Sequence, residues 1–219
     1  MKNLPVVTKY ILLANIICWC LDVLLMRMGL SLSAIMGLYY VTNPHFHFWQ
    51  PLTYMFMHAN FGHIFCNMFA LWMFGPIIEN EWGSKRFALY YLVCGLGAAI
   101  TQEVVWALFG GSMGITIGAS GAVFGILFAF GWLFPNIPLF IFLIPIPIRA
   151  RWFVIIYAAF ELVAGLAPTA GDNVAHFAHL GGMLFGWLLI LCWKHIHFNK
   201  RQKKIKNDYS SYHYHPKID

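Results

Sequence analysis

The sequence has few charged side chains, and these avoid its long hydrophobic runs. Only 10% of the 219 residues are Asp, Glu, Lys or Arg, whereas 60% are hydrophobic. Soluble domains of ordinary composition have about 25% charged and about 45–50% apolar residues. The composition therefore excludes an ordinary soluble domain and predicts a polytopic protein that lies in the lipid bilayer.

Several other features are also missing. The five cysteines form no CxxC pair and lie in apolar runs, so neither a disulfide framework nor a zinc knuckle is indicated. The first apolar run is too long for a cleavable signal peptide and lacks a small-residue cleavage site. Most of the net charge of +6 falls after the last apolar run, in KHIHFNKRQKKIKNDYSS. A basic segment there sets topology and contacts anionic headgroups, and no nucleic-acid partner is expected.

Six apolar runs are long enough to cross a hydrocarbon core of about 30 Å as helices. The segment between the first two is aromatic but broken by Gly, Asn-Pro and Gln-Pro, which predicts an interfacial loop embedded in the outer leaflet. The fold class is therefore all-α and polytopic, with a six-helix domain at 1–195 and a basic cytoplasmic tail at 196–219. The predicted spans are Val6–Met26, His58–Pro76, Phe87–Ala107, Ala119–Phe134, Trp152–Ala167 and Val174–Trp193.

The Lys and Arg residues near the spans predict the orientation. They precede or open the first span, separate the second from the third and the fourth from the fifth, and follow the sixth, whereas the other connections hold only Arg27. Basic residues concentrate in cytoplasmic loops. Both termini are therefore expected in the cytoplasm, which makes this an integral multi-pass protein. The basic residues are Lys2, Lys9, Lys85, Arg86, Arg149, Arg151 and those of the tail.

Polar side chains inside a membrane span are costly, so each is a candidate functional group. Glu103 is expected to reach headgroups or water, and Glu161 to bond a neighbouring helix. The histidines have a structural alternative, since an imidazole in a membrane can simply bond a carbonyl across helices. The candidates are His58, His63, Asn67, Glu103, Ser120, Glu161, His176 and His179.

Four of these candidates are predicted to converge. Spans two, four and six run from outside to inside, and at about 1.5 Å per residue His63, Asn67, Ser120 and His179 lie at similar depth in the outer third of the bilayer. His63 and Asn67 are also spaced i, i+4 and share a helix face. A hydroxyl, an imidazole and two further polar side chains therefore come from three different helices.

Glycines indicate how two of those helices meet. Gly121 and Gly125 form a GxxxG pair just after Ser120, and Gly182 and Gly186 form another just after His179. Small residues at this spacing let membrane helices approach closely. If the two faces pack together, Ser120 and His179 become neighbours, and the small residues also leave room for a substrate backbone.

Serine with histidine is the minimal pair for nucleophilic acyl transfer, because imidazole takes the hydroxyl proton and returns it to the leaving amine. The backbone N–H of Ser120, His63 and Asn67 are candidate donors to the oxyanion. No Asp lies in a span at this depth to orient His179, so a dyad is expected. Phe124, one turn beyond the serine, is expected to pack against the imidazole.

At these residues the chain strongly resembles the rhomboid family of intramembrane serine proteases, in its compact six-span bacterial form. The likeness extends roughly from His45 to Trp187 and includes the HxxxN, GxSG and AH motifs in order. They occur in FWQPLTYMFMHANFGHIFCNMFALWMFGPIIENEWG, in GASGAVFG and in AHFAHLGGMLFG.

The resemblance implies a membrane endopeptidase with Ser120 as nucleophile, His179 as general base, and the Ser120 amide, His63 and Asn67 around the oxyanion. It implies that single-span membrane proteins are the substrates, that no metal or cofactor takes part, and that the site opens to the outer face of a bacterial plasma membrane. His58 would line the cavity, Gly118 would form the tight turn before the serine, and Gly121 would leave space beside it. Phe124 stands where relatives often have tyrosine.

Two other classes of protein, a metal enzyme and a pseudoprotease, are alternatives to the serine protease. HANFGH and HFAH have histidine spacings found in membrane di-iron enzymes, but those sites need about eight histidines near the cytoplasmic face, and no HxxHH box is present. A zinc intramembrane protease would need HExxH, which is also absent. A rhomboid-like pseudoprotease that only binds helices would lack Ser120 or His179. Treatment with a chelator would distinguish a metal enzyme from a serine protease, and mutation of Ser120 would distinguish a pseudoprotease from an active one.

Overall fold

The computed structural model describes residues 4–109, 114–140, 147–167 and 175–212, and the side chains only as far as residue 195. Within these ranges the named elements are helices apart from one two-stranded ribbon, in which Pro138 pairs with Arg149 and Leu139 with Ile148. A 3₁₀ turn at Tyr54–Phe56 precedes the second long helix. The elements are α1 Val6–Met26, α2 Leu32–Met36, α3 Gln50–Thr53, α4 Phe61–Trp82, α5 Ser84–Phe109, α6 Ser120–Leu133, β1 Pro138–Leu139, β2 Ile148–Arg149, α7 Ala150–Leu166 and α8 His176–Tyr212.

The predicted all-α polytopic fold is confirmed, and the helices α1 and α4–α8 correspond to the six predicted spans. In the described part of the chain, four stretches are long and apolar enough to cross a membrane. The other two helices, α6 and α7, have 14 and 17 residues. The four stretches are Val6–Met26, Phe61–Trp82, Ser84–Phe109 and His176–His195.

Both predicted ends of the second span were wrong. Helix α4 begins at Phe61 because the side chain of Asn60 caps it, accepting a hydrogen bond from the His63 N–H at 2.9 Å. It then continues through Pro76 to Trp82. Proline removes one backbone donor, but a membrane helix packed among others tolerates that loss. The helix ends instead at Gly83, whose φ of 78° is readily adopted only by glycine.

Helix α6 lies at the centre of the bundle, and most of its residues are buried. At about 1.5 Å per residue its 14 residues span about 21 Å, less than the hydrocarbon thickness of about 30 Å. At least one end of α6 therefore lies within the depth of the bilayer. Ser120 is its first residue, so the serine stands at one of these two ends.

The glycine faces of α6 and α8 pack together, which confirms the contact predicted from the two GxxxG pairs. A Cβ placed on Gly182 would overlap the carbonyl oxygen of Gly121, and one placed on Gly125 would lie 3.2 Å from the carbonyl oxygen of Gly182. No side chain fits between these two backbones. The contact fixes the distance between the start of α6 and the first turns of α8.

The segment before α6 is fixed by the aromatic loop at residues 27–60. Leu38 and Thr116 exchange two backbone hydrogen bonds of 2.9 Å, and the Gly118 N–H donates to the Tyr54 carbonyl at 2.9 Å. Tyr54 is in turn bonded through its hydroxyl to the Gly95 carbonyl at 2.7 Å. The loop therefore connects the approach to Ser120 with α5. Its exposed Phe48 agrees with a loop that contacts lipid.

Glu79 joins the beginning of α1 to the end of α4. Its carboxylate accepts from the backbone N–H groups of Val7 at 2.9 Å and Thr8 at 2.7 Å. It also accepts from the hydroxyls of Thr8 at 2.7 Å and Ser84 at 2.6 Å. Pro5, at the N-cap position of α1, provides no side-chain cap. Glu79 thus satisfies N–H groups that the first turn of a helix leaves unpaired.

Replacing Glu79 by alanine is expected to destabilise the protein strongly and to detach α1. The loss should be at least about 3 kcal/mol, because hydrogen bonds to a charged group contribute about 1.5–3 kcal/mol each and buried donors would lose their acceptor. Denaturant unfolding in micelles measures the loss, with Glu81→Ala as the control because Glu81 is exposed. Equal stability of the two variants would contradict the capping role.

Candidate active site

The structure brings the hydroxyl of Ser120 against the imidazole of His179. Oγ of Ser120 lies 2.8 Å from Nε2 of His179, although 59 positions separate the two residues in the sequence. Ser120 is half-buried at the N-terminus of α6, and His179 is 8% exposed in the first turn of α8. The pairing follows from the close glycine contact of α6 with α8, one turn further along each helix.

The opposite edge of the His179 ring contacts a carboxylate. Nδ1 of His179 lies 2.9 Å from Oε2 of Glu161, and Nδ1 of His176 lies 2.7 Å from the same oxygen. An ionised carboxylate only accepts hydrogen bonds, so both Nδ1 atoms carry hydrogen. The lone pair of His179 is then on Nε2 and faces the Ser120 hydroxyl.

One expectation is corrected here. No Asp was expected at this depth to orient His179, and a dyad was therefore expected, but the carboxylate of Glu161 on α7 lies against Nδ1 of His179. The prediction that Glu161 bonds a neighbouring helix is confirmed, since both of its imidazole partners lie on α8. The sequence signal for Glu161 was that an ionisable residue lies in a span. The spacing of residues along the chain did not indicate that α7 lies beside α8.

Glu161, His176 and His179 also form the only group among the described residues with three potential metal ligands close together, their atoms lying within 4.8 Å. The two N···O distances of 2.7 and 2.9 Å are hydrogen-bond lengths. Two ligands of one tetrahedral Zn²⁺ would be about 3.3 Å apart, given bonds of about 2.0–2.1 Å. The geometry therefore fits hydrogen bonding between these side chains better than metal coordination.

Aromatic rings hold the face of the imidazole. Phe124 stacks on His179 with ring centroids 4.2 Å apart and planes within 8°. Tyr157 stacks on the other face of Phe124 at 5.1 Å, also within 8°. Three rings from α8, α6 and α7 thus form one stack. Sequence reasoning placed Phe124 against the histidine but missed Tyr157, which shares a face of α7 with Glu161.

His63 points its Nε2 atom toward the serine. A Cβ built on Gly118 would lie 2.7 Å from Nε2 of His63 and 3.5 Å from Oγ of Ser120, so the three groups border one small space. Gly118 has a φ of 129°, which favours glycine. Nδ1 of His63 accepts from the Ala59 N–H at 3.4 Å. The ring hydrogen is therefore on Nε2, and His63 presents a donor to this space.

Asn67 lies one turn beyond His63 on α4 and is buried. Its Nδ2 donates to the His63 carbonyl at 2.9 Å. A primary amide has two N–H groups, and this bond uses one of them. The Ser120 backbone N–H is at the start of α6, where helical N–H groups have no acceptor within the helix. The Ser120 N–H and the His63 ring thus lie beside the serine hydroxyl, and Asn67 follows His63 one turn later on α4.

His58 lies beside His63, whereas Glu103 contacts the aromatic loop. The His58 ring is 5.0 Å from that of His63, and its nitrogens have no hydrogen-bond partner among the described residues. Burial and the neighbouring His63 lower the pKa of His58 to about 4, so the ring is neutral at pH 7. Glu103, expected to reach headgroups or water, accepts from the Val41 N–H at 3.0 Å and so holds the aromatic loop.

Comparison with known proteins assigns this arrangement to a family. A family model described as the Rhomboid domain matches residues 45–195, a range that includes all the residues of the site. The chain belongs to the rhomboid family. It is therefore a polytopic helical membrane protein, and the resemblance noted in its motifs is confirmed.

Relatives of this rhomboid chain come from yeast, plants and bacteria. It is 32% identical over 145 residues to "Rhomboid protein 1, mitochondrial" of Saccharomyces cerevisiae. That alignment covers 61% of this chain and 40% of the relative. It is 34% identical over 205 residues to "Rhomboid-like protein 11, chloroplastic" of Arabidopsis thaliana, and that alignment covers 81% of this chain and 65% of the relative. For "Rhomboid protease GluP" of Bacillus subtilis the identity is 32% over 140 residues, and the alignment covers 64% of this chain and 25% of the relative. The chain thus spans from a quarter to about two thirds of these relatives.

Proposed function

We propose that this rhomboid is an intramembrane serine endopeptidase in which Ser120 is the nucleophile and His179 the general base. The observation that carries the proposal is the distance of 2.8 Å between Oγ of Ser120 and Nε2 of His179. A serine hydroxyl paired with an imidazole from another helix is the arrangement that nucleophilic acyl transfer needs. The Bacillus relative is named a protease, which agrees with this chemistry.

The reaction proceeds in two halves. Oγ of Ser120 attacks the carbonyl carbon of the scissile bond while Nε2 of His179 takes the hydroxyl proton. The C–N bond then breaks, the imidazolium gives that proton to the leaving amine, and an acyl ester remains on Ser120. Water attacks the ester with His179 again as base, which releases the acid and restores the serine.

The donors around the serine would stabilise the negative oxygen of each tetrahedral intermediate. The Ser120 N–H lies at the positive end of the α6 dipole, and Nε2–H of His63 points into the space beside the hydroxyl. The amide of Asn67 is the third donor. Gly118 keeps this space open, since any larger residue would fill it with a Cβ only 2.7 Å from the His63 ring.

The substrates are proposed to be single-span membrane proteins, cut in or near the transmembrane segment. The nucleophile lies at the end of a helix shorter than the bilayer, so a substrate must present extended backbone at that depth. A helix that unwinds easily does this at the lowest cost. We place both termini in the cytoplasm and the site toward the outer face of a bacterial plasma membrane, from the distribution of Lys and Arg.

Proteolysis in liposomes tests this proposal. The reconstituted protein is given two single-span substrates that differ only in their transmembrane segment, one with helix-weakening Gly and Pro and one all leucine. We expect cleavage of the first, inhibition by a fluorophosphonate and no effect of EDTA. Inhibition by EDTA would support a metal enzyme. If both substrates stay intact while a related active protease cleaves them, the result would support a pseudoprotease.

Replacing His63 by alanine is expected to lower kcat by about 10²-fold, as the loss of one oxyanion donor does in other serine hydrolases. KM should change little, because the donor acts on charge that develops after substrate has bound. Steady-state cleavage of the same substrate measures both constants. His47→Ala is the matched control, since His47 is exposed on the aromatic loop. A rise in KM with unchanged kcat would contradict the oxyanion role.

A further inference from the structure

We propose that Glu161 is a positioning residue for the general base, so that His179 works in a Ser120–His179–Glu161 triad with the acid supplied by α7. The inference rests on the proposed function. Oε2 of Glu161 accepts the Nδ1 hydrogen of His179 at 2.9 Å, which keeps the Nε2 lone pair toward Ser120. The same carboxylate neutralises the imidazolium that forms when the serine gives up its proton.

The burial of Glu161 supports this role. The residue is 3% exposed, and the only other buried residues of α7 are Ala150 and Val154. A carboxylate on an otherwise apolar buried face is costly unless hydrogen bonds compensate for its lost hydration. Among the described residues, both hydrogen bonds to Oε2 come from imidazoles of α8, one of which faces the nucleophile.

Phe124 and Glu161 restrain different properties of the imidazole. The stacked phenyl ring fixes the plane of His179, but it has no polar atom and cannot distinguish the two nitrogen atoms. The carboxylate makes that distinction, because only a nitrogen that carries hydrogen can donate to it. Loss of Phe124 would loosen the ring, whereas loss of Glu161 would allow the wrong tautomer.

His176 holds the carboxylate in place. Its Nδ1 donates to Oε2 at 2.7 Å from one turn before His179 on the same helix. This second hydrogen bond fixes the Glu161 side chain and does not involve Ser120. Oε2 of Glu161 is thus shared by His176 and His179. His176 therefore supports Glu161, and its removal should cost much less than removal of the carboxylate.

The position of α7 consequently determines whether the base is correctly oriented. This helix packs on α6 where a Cβ on Gly131 would lie 2.7 Å from Val154, and on α8 where one on Gly165 would lie 2.9 Å from Phe177. Movement of α7 away from these contacts would withdraw Glu161 from His179. The resting arrangement of α7 is thus the one that holds His179 in its active tautomer.

The test compares Glu161→Gln, Glu161→Asp and His176→Phe with the control Glu81→Gln, which makes the same change at an exposed position near the end of α4. The readouts are kcat and KM in liposomes, the rate of fluorophosphonate labelling and the thermal unfolding temperature. For Glu161→Gln we expect kcat and the labelling rate to fall by roughly 10²-fold, the size of one charge-assisted hydrogen bond, with KM within about threefold. Glu161→Asp should be at least about fivefold faster than Glu161→Gln, because it keeps the charge.

His176→Phe should lose less than about tenfold, the size of a neutral hydrogen bond, and Glu81→Gln should match the wild type. Glu161→Gln with at least a third of the wild-type kcat would overturn the proposal, as would Glu161→Asp no faster than Glu161→Gln. Equal losses of kcat and unfolding temperature in Glu161→Gln and His176→Phe would show a purely structural clamp. If Glu161→Gln does not fold, Glu161→Asp decides by its kcat relative to the wild type, with at least about a twentieth retained expected. A wild-type protein that neither cleaves nor takes label would instead refute the proposed function.

Discussion

Replacing Ser120 by alanine is expected to abolish cleavage, with kcat falling on the order of 10⁶-fold, as removal of a catalytic serine does elsewhere. The hydroxyl is the only group at this position that can form the acyl ester. His179→Ala should be almost as severe, because the serine at neutral pH is a weak nucleophile without a base. Quantifying the cleaved product by mass spectrometry measures both losses.

The double variant gives a sharper result than either single one. Two residues that act as one unit lose activity together, so Ser120→Ala with His179→Ala should be no slower than Ser120→Ala alone. Ser31→Ala is the matched serine control, since that hydroxyl accepts from the Ala34 N–H on the aromatic loop and lies outside the site. Additive losses in the double variant would show that the two side chains act separately.

Gly182→Ala is expected to separate α6 from α8 and to disable the site from one turn away. The added methyl group would overlap the carbonyl oxygen of Gly121, and backbone cannot rotate aside as a side chain can. The helices must then move apart by roughly an ångström or more, and a misplacement of about 1 Å costs on the order of 10²-fold in rate. We therefore expect kcat to fall by about 10²–10³-fold.

Stability should fall in the same variant, since overpacking a well-packed contact costs about 1–3 kcal/mol. Thermal unfolding and steady-state cleavage measure the two effects on one preparation. Gly62→Ala is the control, because its Cβ would meet only Asn60 Oδ1, at an ordinary 3.4 Å. Wild-type activity in Gly182→Ala would mean that α6 and α8 do not depend on this contact to align Ser120 with His179.

Patterns local in the sequence predicted much of the fold. The first span was predicted as Val6–Met26 and is found with those bounds, because a continuous apolar run ends where charge and glycine begin. The ends of α4 were missed because they depend on the cap by Asn60 and on Gly83 rather than on hydropathy. The GxxxG spacing predicted the contact of α6 with α8, since small residues at that interval let membrane helices approach closely.

The site was predicted only as far as its motifs extend. Ser120, His179, His63 and Asn67 were chosen because polar groups are costly in a membrane and because three spans run in the same direction. Their neighbours depend on packing between distant elements. Glu161 reaches His179 only because α7 lies against α8, and the hydrogen on His63 is placed by the Ala59 backbone. Neither contact leaves a periodic signal in the chain.

The central claim is that Ser120 is a nucleophile activated by a histidine from another helix. The most direct measurement is fluorophosphonate labelling of the purified protein, with the modified residue identified by mass spectrometry. We expect a single adduct on Ser120 that is formed in the presence of EDTA and is lost in His179→Ala. An adduct on a different serine, or no adduct where a related active protease is labelled, would contradict the claim.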